Sequence, residues 1–369
     1  MSTKGRVLVA MSGGVDSSVA AVMLREQGYE VIGITMKTWD YSSSGGTTGK
    51  ETGCCTLESM NDARAIALKY GFTHFIVDIR EEFGDWVINR FVDEYLAGRT
   101  PNPCVLCNTH IKWAALMKRA DSLGCEFIAT GHYANIRTEN GRHVISRGVD
   151  HDKDQSYALW GVQQEHLART QFPVGQFRKS EIRAFAHDHG LLNVASKKDS
   201  YEICFVPDND YRGFLKRRVE GLQENVEGGL FIDKNGNILG KHQGYPFYTI
   251  GQRRGLNLPM GHPVYVTAID PVANTVTVGE ESELVNTMCT AKELNWGKYA
   301  SLPHDDYPVI GAIRYNDDGA PGFLSQHEDK ISIRFPEGRT AITPGQALVC
   351  YDGDDVLVGG WIHSVKDPG

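Results

Sequence analysis

Two groups of residues in this chain are equipped for chemistry. The first is Ser12-Gly13-Gly14-Val15-Asp16-Ser17-Ser18. Adjacent glycines let the backbone turn tightly and come close to a ligand. Ser12, Ser17 and Ser18 add hydroxyl donors, and the helical pattern that follows would aim unpaired N–H groups and the positive end of its dipole at the same spot. Together they describe a cradle for phosphate. It is not the loop of the P-loop NTPases, which ends in Lys followed by Ser or Thr; here those positions hold Asp16-Ser17. The second group is made of thiols. Residues 99–107 read RTPNPCVLC, two prolines stiffening a loop that leads into a helix. A thiol near a helix N-terminus has a lowered pKa, which makes Cys107 a plausible thiolate. Cys204 follows Lys197-Lys198 and stands beside basic residues. A reactive pair far apart in sequence suits disulfide exchange in one site; two unrelated cysteines remain the plain alternative.

These groups need a scaffold. Residues 6–11 (RVLVAM) are a short apolar strand leading into the loop, and a helix pattern follows from Asp16 to Gln27, stopped by Gly28. Val31–Met36 and His74–Ile79 read as strands, with a helix over Asn61–Tyr70 between them. Phe83–Ala97 and Asn108–Ser122 read as amphipathic helices, and Glu126–Thr130 as a strand ending in Gly131-His132. Strand and helix alternate, so the expectation is a parallel sheet with helices on both faces. In such sheets ligands sit beyond the carboxyl ends of the strands. That brings Met36, Gly131 and His132 to the same site, although a lone His is more often structural. Residues 42–53 (SSSGGTTGKETG) read as a loop. After about residue 210 the texture changes to Gly-rich turns between short β-branched runs such as Val264–Ala268, Thr275–Val278, Lys330–Phe335 and Val356–Val358, which predicts small β-barrels. The expected domains are residues 1–208, an α/β nucleotide-binding domain; 209–282, a small central β domain; and 283–369, a C-terminal β-barrel.

Composition sets limits. A chain of 369 residues is too long for one ordinary domain, and 41% hydrophobic with 23% charged residues is normal for a globular protein. No apolar run reaches the roughly 20 residues that span a bilayer, and the N-terminus lacks a signal pattern, so the expectation is a cytoplasmic protein with no membrane partner. The net charge of −8 argues against a general nucleic-acid binder but leaves room for a local basic surface. Arg178-Lys179, Lys197-Lys198, Lys216-Arg217-Arg218 and Arg253-Arg254 are candidates, each reading as a solvated face when taken singly. Of the eight cysteines, Cys125, Cys289 and Cys350 sit in apolar runs and read as buried fillers.

The loop resembles the pyrophosphate-grasping loop of the ATP pyrophosphatase superfamily. That resemblance implies ATP attacked at the α phosphorus, with Asp16 helping to hold Mg2+ on the leaving pyrophosphate. Over nearly the whole length the chain resembles the tRNA-specific 2-thiouridylases. The markers are the 12–18 loop, Met36-Lys37-Thr38-Trp39, Gly98-Arg99-Thr100-Pro101-Asn102-Pro103, Cys107-Asn108, Ala129-Thr130-Gly131-His132-Tyr133, Lys153-Asp154-Gln155-Ser156-Tyr157, Cys204-Phe205 and Gly251-Gln252-Arg253-Arg254-Gly255-Leu256.

The resemblance implies the following. Ala10, Met11, Ser12, Gly13, Gly14, Val15, Asp16, Ser17, Met36 and Gly131 bind the nucleotide. ATP adenylates the C2 oxygen of uridine 34, Cys204 carries sulfur as a persulfide, and Cys107 forms a disulfide with Cys204 once sulfur has left. The flipped uridine meets Asn102, Pro103 and Cys104, while His132, Lys153, Asp154, Gln155, Arg314, Tyr315 and Gln346 contact tRNA. A sulfur-donor protein, a cysteine desulfurase or a sulfur carrier, supplies the sulfur. The chain departs from the family pattern at Cys104, where many members have aspartate. Cys104, Cys107 and Cys204 are three thiolates, enough to hold a 4Fe–4S cluster with one iron open, so two sulfur-delivery schemes stand side by side. Cys54-Cys55 is a further candidate sulfur relay. The rival readings are another thiolase or a ligase of the same superfamily, and an RNA-binding sulfur carrier without turnover.

Overall fold

The computed structural model describes residues 4–39, 56–197, 203–206 and 208–365. The loop over 42–53, Cys54-Cys55 and Lys198 lie outside the described residues. Two compact units emerge: residues 1–87, 104–209 and 354–357 form the first, and 88–103, 210–353 and 358–369 the second.

The first unit is built on a parallel sheet. Strand β1 (Arg6–Ala10) leads to helix α1 (Val15–Glu26); β2 (Glu30–Lys37), α2 (Leu57–Tyr70) and β3 (Thr73–Asp78) follow. The apolar run of β1 is explained by its place: it pairs in parallel with β2 on one side and with β4 (Phe127–Ala129) on the other, so Val7, Leu8 and Val9 are fully buried. A two-residue strand, Thr170–Gln171, extends the sheet beyond β4, and β3 closes the opposite edge. The chain moves outward from β1 in both directions, so the crevice between the ends of β1 and β4 is the switch point where ligands sit in open α/β sheets. Helix α1 buries Val19 to Leu24 in the core with Ala63 and Ile66 of α2. Thr56 caps α2 by accepting from the Ser59 N–H at 3.0 Å, and Gly71 ends it in the left-handed region at φ 67°.

Two predicted helices differ from expectation. The run expected over 83–97 is α3 (Arg80–Phe83), a π-helical turn Gly84–Ile88, and α4 (Asn89–Leu96). The run expected over 108–122 starts earlier, with α5 (Pro103–Leu106), continues as a π-helical segment Cys107–Lys112, and ends as α6 (Trp113–Ser122). Amphipathic periodicity cannot register an inserted residue of this kind, and π-turns occur mostly at functional sites. The sequence reading also passed over the hairpin β5 (Ala134–Glu139) and β6 (Arg142–Arg147). Its polar side is fastened by Asp355, which accepts from Ser146 Oγ at 2.7 Å and from Arg137.

The second unit is β-rich. A four-stranded sheet holds Leu230–Ile232, Ile238–Lys241, Tyr265–Asp270 and Thr275–Gly279. Six later strands, from Val285–Trp296 to Asp355–Ser364, lie side by side in the order first, fourth, third, second, fifth, sixth and close through pairing of the first with the last. This is a closed six-stranded barrel, cored by Cys289, Leu324, Ile331, Ile333, Phe335 and Leu348. The architecture is the expected one, a parallel-sheet α/β domain followed by two β-rich domains. Cys125, Cys289 and Cys350 are buried, as expected of fillers.

Candidate active site

The loop after β1 is held by short contacts. Gly13 has φ +71°, and a Cβ there would lie 2.1 Å from the Ser59 carbonyl oxygen, so only glycine fits. The Ser12 N–H donates to Ser17 Oγ at 3.1 Å, and the Ser17 and Ser18 hydroxyls donate to the Gly14 carbonyl at 3.3 and 2.8 Å. These serines brace the loop, with Ser12 itself exposed. Gly14 is the N-cap of α1 and offers no side chain to its first-turn amides. Those amides need an acceptor from outside the helix, and phosphate oxygen is the natural one. Gly131 presses on the same turn: a Cβ would stand 2.5 Å from Ser17 N and 2.7 Å from the Asp16 carbonyl carbon. Met36 is half-buried at the end of β2; its neighbour Thr35 donates to the Met11 carbonyl at 2.7 Å and meets His74 Nε2 at 2.9 Å. Ala10, Met11 and Val15 flank the loop, Met11 and Val15 buried.

Asp16 is engaged from far along the chain. Lys179 Nζ donates to both carboxylate oxygens at 2.8 and 2.7 Å, and the Tyr133 hydroxyl donates at 2.7 Å. Lys179 opens helix α8 (Lys179–Asp188; a short helix, Gln164–Leu167, stands before it as α7) and is 9% exposed. The expectation of a solvated Arg178-Lys179 face is therefore corrected at Lys179: the Asp16 charge draws the ammonium inward. Lys197 behaves alike, with Nζ 2.5 Å from Asp62 and 3.3 Å from the Gly13 carbonyl. The loop that lacks its own lysine thus has two cations supplied to it through space. A basic residue at the start of a helix pattern gives no sequence signal of such a role.

His132 continues from Gly131 into a recess. Its Nδ1 shares a 2.7 Å hydrogen bond with Thr130 Oγ1, and its ring lies 5.8 Å from the Trp113 ring and 6.1 Å from Phe172. Burial, aided by the Lys112 charge, holds the imidazole pKa well below the usual histidine range, so the ring is neutral at pH 7. Cys104 has an exposed surface, yet surrounding protein pushes its thiol pKa up, with Lys112 pulling it partly back. Lys112, which sequence reading did not single out, is thus within electrostatic reach of both Cys104 and His132. The helix containing the cysteines starts at Pro103, so Cys104 and not Cys107 occupies its first turn. Cys107 is buried one turn on. Cys204 is half-buried, and the next residue, Phe205, packs edge-on against Phe83 of α3 at 5.8 Å. Helix α3 in turn touches the Cys107–Lys112 segment. Among the described residues no group of three or more His, Cys, Asp or Glu side chains is placed to hold a metal ion, so Cys104, Cys107 and Cys204 do not form a ligand set as they stand.

Of the expected RNA-contacting residues, Asp154 and Gln155 are tied to the same unit. Asp154 accepts from the Gly148 N–H at 2.9 Å and from Ser156 Oγ at 2.6 Å. Gln155 exchanges bonds with the Tyr133 backbone, its N–H donating at 2.9 Å and its Oε1 accepting at 3.0 Å. Tyr133 therefore joins this segment to Asp16. Lys153, beside them, is half-buried. In the second unit, Asn102 and Pro103 are buried, and Gln346 Nε2 donates to the Thr100 and Pro101 carbonyls at 3.0 and 3.1 Å. Gln346 thus holds the loop that leads to Asn102. Arg314 and Tyr315 are exposed on a turn braced by Asp317, whose carboxylate accepts from the Ile313 N–H at 2.8 Å and the Gly319 N–H at 3.1 Å and pairs with Arg339. Neither Asp317 nor Arg339 stood out in the sequence, because a turn brace carries no motif.

Comparison with known proteins adds to this geometry. Three family models match in succession: a tRNA methyl transferase HUP domain over residues 5–208, a tRNA methyl transferase PRC-barrel domain over 212–280, and an aminomethyltransferase beta-barrel domain over 286–362. The chain is 64% identical over 368 residues to the tRNA-specific 2-thiouridylase MnmA of Salinibacter ruber, covering 99% of this chain and 96% of that one. It is 60% identical to the proteins of the same name from Amoebophilus asiaticus and Cytophaga hutchinsonii, covering 99% of this chain in each case and 97% and 99% of theirs.

Proposed function

Because the chain belongs to the tRNA-specific 2-thiouridylase family, we propose that the crevice at the ends of β1 and β4 is where it adenylates uridine 34 of tRNA at the C2 oxygen and replaces that oxygen by sulfur. The activity is ATP-dependent 2-thiolation of tRNA, a sulfurtransferase reaction. The observation that carries the site assignment is the Gly131-His132 step. Gly131 presses on the uncapped first turn of α1, and His132, one residue on, lies within reach of the Lys112 charge that also acts on the Cys104 thiol. A phosphate cradle linked through Lys112 to a thiol suits adenylation and sulfur transfer, which must share one pocket. Methyl transfer, named in the descriptions of the family models, needs neither.

The residues divide the work. Amides of the loop and of the first turn of α1 receive the β and γ phosphates, and Lys179 and Lys197 balance their charge. Asp16 would hold Mg2+ there through the acceptor position that its bonds from Lys179 and Tyr133 leave on Oδ2: one carboxylate oxygen plus substrate phosphates suits this ion, which would supply charge neutralisation for the leaving pyrophosphate. The uridine O2 attacks the α phosphorus and pyrophosphate leaves. The terminal sulfur of a Cys204 persulfide then adds at C2 and AMP leaves. The Cys107 thiolate attacks Cys204 Sγ, releasing 2-thiouridine and leaving a Cys107–Cys204 disulfide, which an external dithiol, or two thiols, reduces by two electrons. Reloading needs a sulfur-donor protein. The relay is favoured over a cluster because the three thiols do not stand as a ligand set among the described residues.

We assign Asn102, Pro103 and Cys104 to the flipped base, and Lys153, Asp154, Gln155, Arg314 and Tyr315 to the anticodon arm; Gln346 acts by fixing the Thr100-Pro101 backbone. The domain boundaries stay at 208 and 282. Among the described residues no helix is long and apolar enough to cross a membrane, and we place the enzyme in the cytoplasm, where tRNA and reduced thiols coexist. The test is pyrophosphate release. The purified protein should release it from ATP only when tRNA bearing uridine 34 is present; release that ignores tRNA would overturn the assignment.

A further inference from the structure

Trp86 is used by none of the chemistry above, and the fold does not bury it. The residue is 52% exposed. Its indole stacks on the His110 ring with centroids 5.2 Å apart and planes 19° from parallel. Such a stack covers one face of the indole, so the exposed area belongs to the rest of the ring. Single exposed aromatics are common on protein surfaces, but this one has an uncommon setting. Both rings stand on π-helical turns, Gly84–Ile88 and Cys107–Lys112. Turns of this type are rare and cluster at functional sites. Here two of them, from separate stretches of chain, meet at one ring pair. His110 lies within one turn of Cys107, and α3, which runs directly into the Trp86 turn, touches the Cys107–Lys112 segment. The stack therefore stands on the segment that carries Cys107.

A uridine can be modified at C2 only after it leaves its stack, and its neighbours then lose a partner. Proteins hold such splayed bases on aromatic rings. We propose that the Trp86–His110 pair is a platform for an unpaired nucleobase flanking the target uridine. The inference rests on the thiolation reading given above. Glu81, Glu82 and Asp85 lie on the same stretch of chain, so the platform offers a base its flat face and does not attract phosphate. That chemistry suits a base in preference to the basic surface of a protein, because the parallel rings present a plane and not a pocket.

The test compares full-length parent, Trp86→Ala and Trp86→Phe for binding of an anticodon stem-loop RNA, with the nucleotide on either side of the target uridine made abasic in turn. Trp86→Ala should weaken binding about tenfold, the usual scale of one base–aromatic stack. Trp86→Phe, which keeps a stacking face, should recover most of that loss. One of the two abasic RNAs should weaken parent binding by a similar factor and cost Trp86→Ala nothing more. ATP affinity, read in the same proteins, should not change, which separates a lost stack from a misfolded site. The proposal is overturned if Trp86→Ala binds within about twofold of the parent, or if both abasic losses add in full to the mutation. It is also overturned if RNA binding is intact while sulfur transfer from a protein donor slows, because the surface would then belong to that donor. A parent protein that neither binds the RNA nor releases pyrophosphate with it would fail the thiolation reading itself, and this inference with it.

Discussion

Replacing Lys179 by Met asks whether the acid of the phosphate loop is held in place from helix α8. Lys179 Nζ sits 2.7 Å from Asp16, and the two side chains are 11% and 28% exposed. Met keeps much of the stem volume and removes only the charge. A hydrogen bond to a charged group contributes about 1.5–3 kcal/mol. A surface ion pair is worth about 0–1 kcal/mol, and breaking a fully buried one costs about 3–5 kcal/mol. Partial exposure puts this pair between those limits, at about 2 kcal/mol after screening. Asp16 keeps its 2.7 Å bond from Tyr133, which limits the loss. For a unit of this size, about 2 kcal/mol lowers Tm by roughly 4–8 °C. The assay is thermal unfolding at pH 7 without nucleotide. Adding Asp16→Asn to Lys179→Met removes the uncompensated carboxylate and should restore most of the stability, so the two changes are strongly non-additive. An unchanged Tm in Lys179→Met, or losses that simply add, would refute the coupling. Tight ATP binding should be lost in both variants.

Other expectations follow from single residues. His242 accepts the Gly244 N–H at Nδ1, and burial lowers its pKa to about 4. The unfolded chain therefore takes up the proton first. The stability that His242 contributes is complete above about pH 6.5 and drains away as pH falls toward 4, by at most about 3 kcal/mol. Unfolding of a His242→Gln variant should show a flatter pH dependence over that window. Asp317→Ala should loosen the Arg314-Tyr315 turn and weaken tRNA binding about as much as Arg314→Ala does, roughly tenfold, with kcat at saturating tRNA unchanged; equal affinity in parent and Asp317→Ala would contradict the bracing role. Cys104→Asp, purified and assayed without oxygen, should thiolate tRNA as the parent does. Joint loss of activity and of bound iron would instead establish a cluster.

The sequence made the scaffold legible where packing leaves a pattern. The apolar run of β1, Gly13-Gly14 and the β4–Gly131 junction are each dictated by local geometry, and each was readable. What could not be read depends on contacts across the fold. Lys179 lies 163 residues from Asp16, and nothing in the local stretch Arg178-Lys179-Ser180 separates a buried counter-ion from a solvated one. The helix start at Pro103 was missed because proline followed by a short apolar run reads as loop, which moved the first-turn position from Cys104 to Cys107. The π-turns at Trp86 and Cys107 were invisible because one inserted residue leaves amphipathic spacing almost unchanged. Asp317 braces a turn through backbone amides, and Gln346, named for tRNA contact, also binds the Thr100 and Pro101 carbonyls; backbone atoms have no residue identity to recognise.

The central claim is that the C2 oxygen of uridine 34 leaves with AMP. It is tested most directly by preparing tRNA with heavy oxygen at C2 of that uridine and analysing AMP by mass spectrometry after one turnover. The account predicts that each 2-thiouridine formed is matched by an AMP carrying the heavy oxygen in its phosphate. Unlabelled AMP alongside normal 2-thiouridine would contradict it, because ATP would then be activating something other than the base.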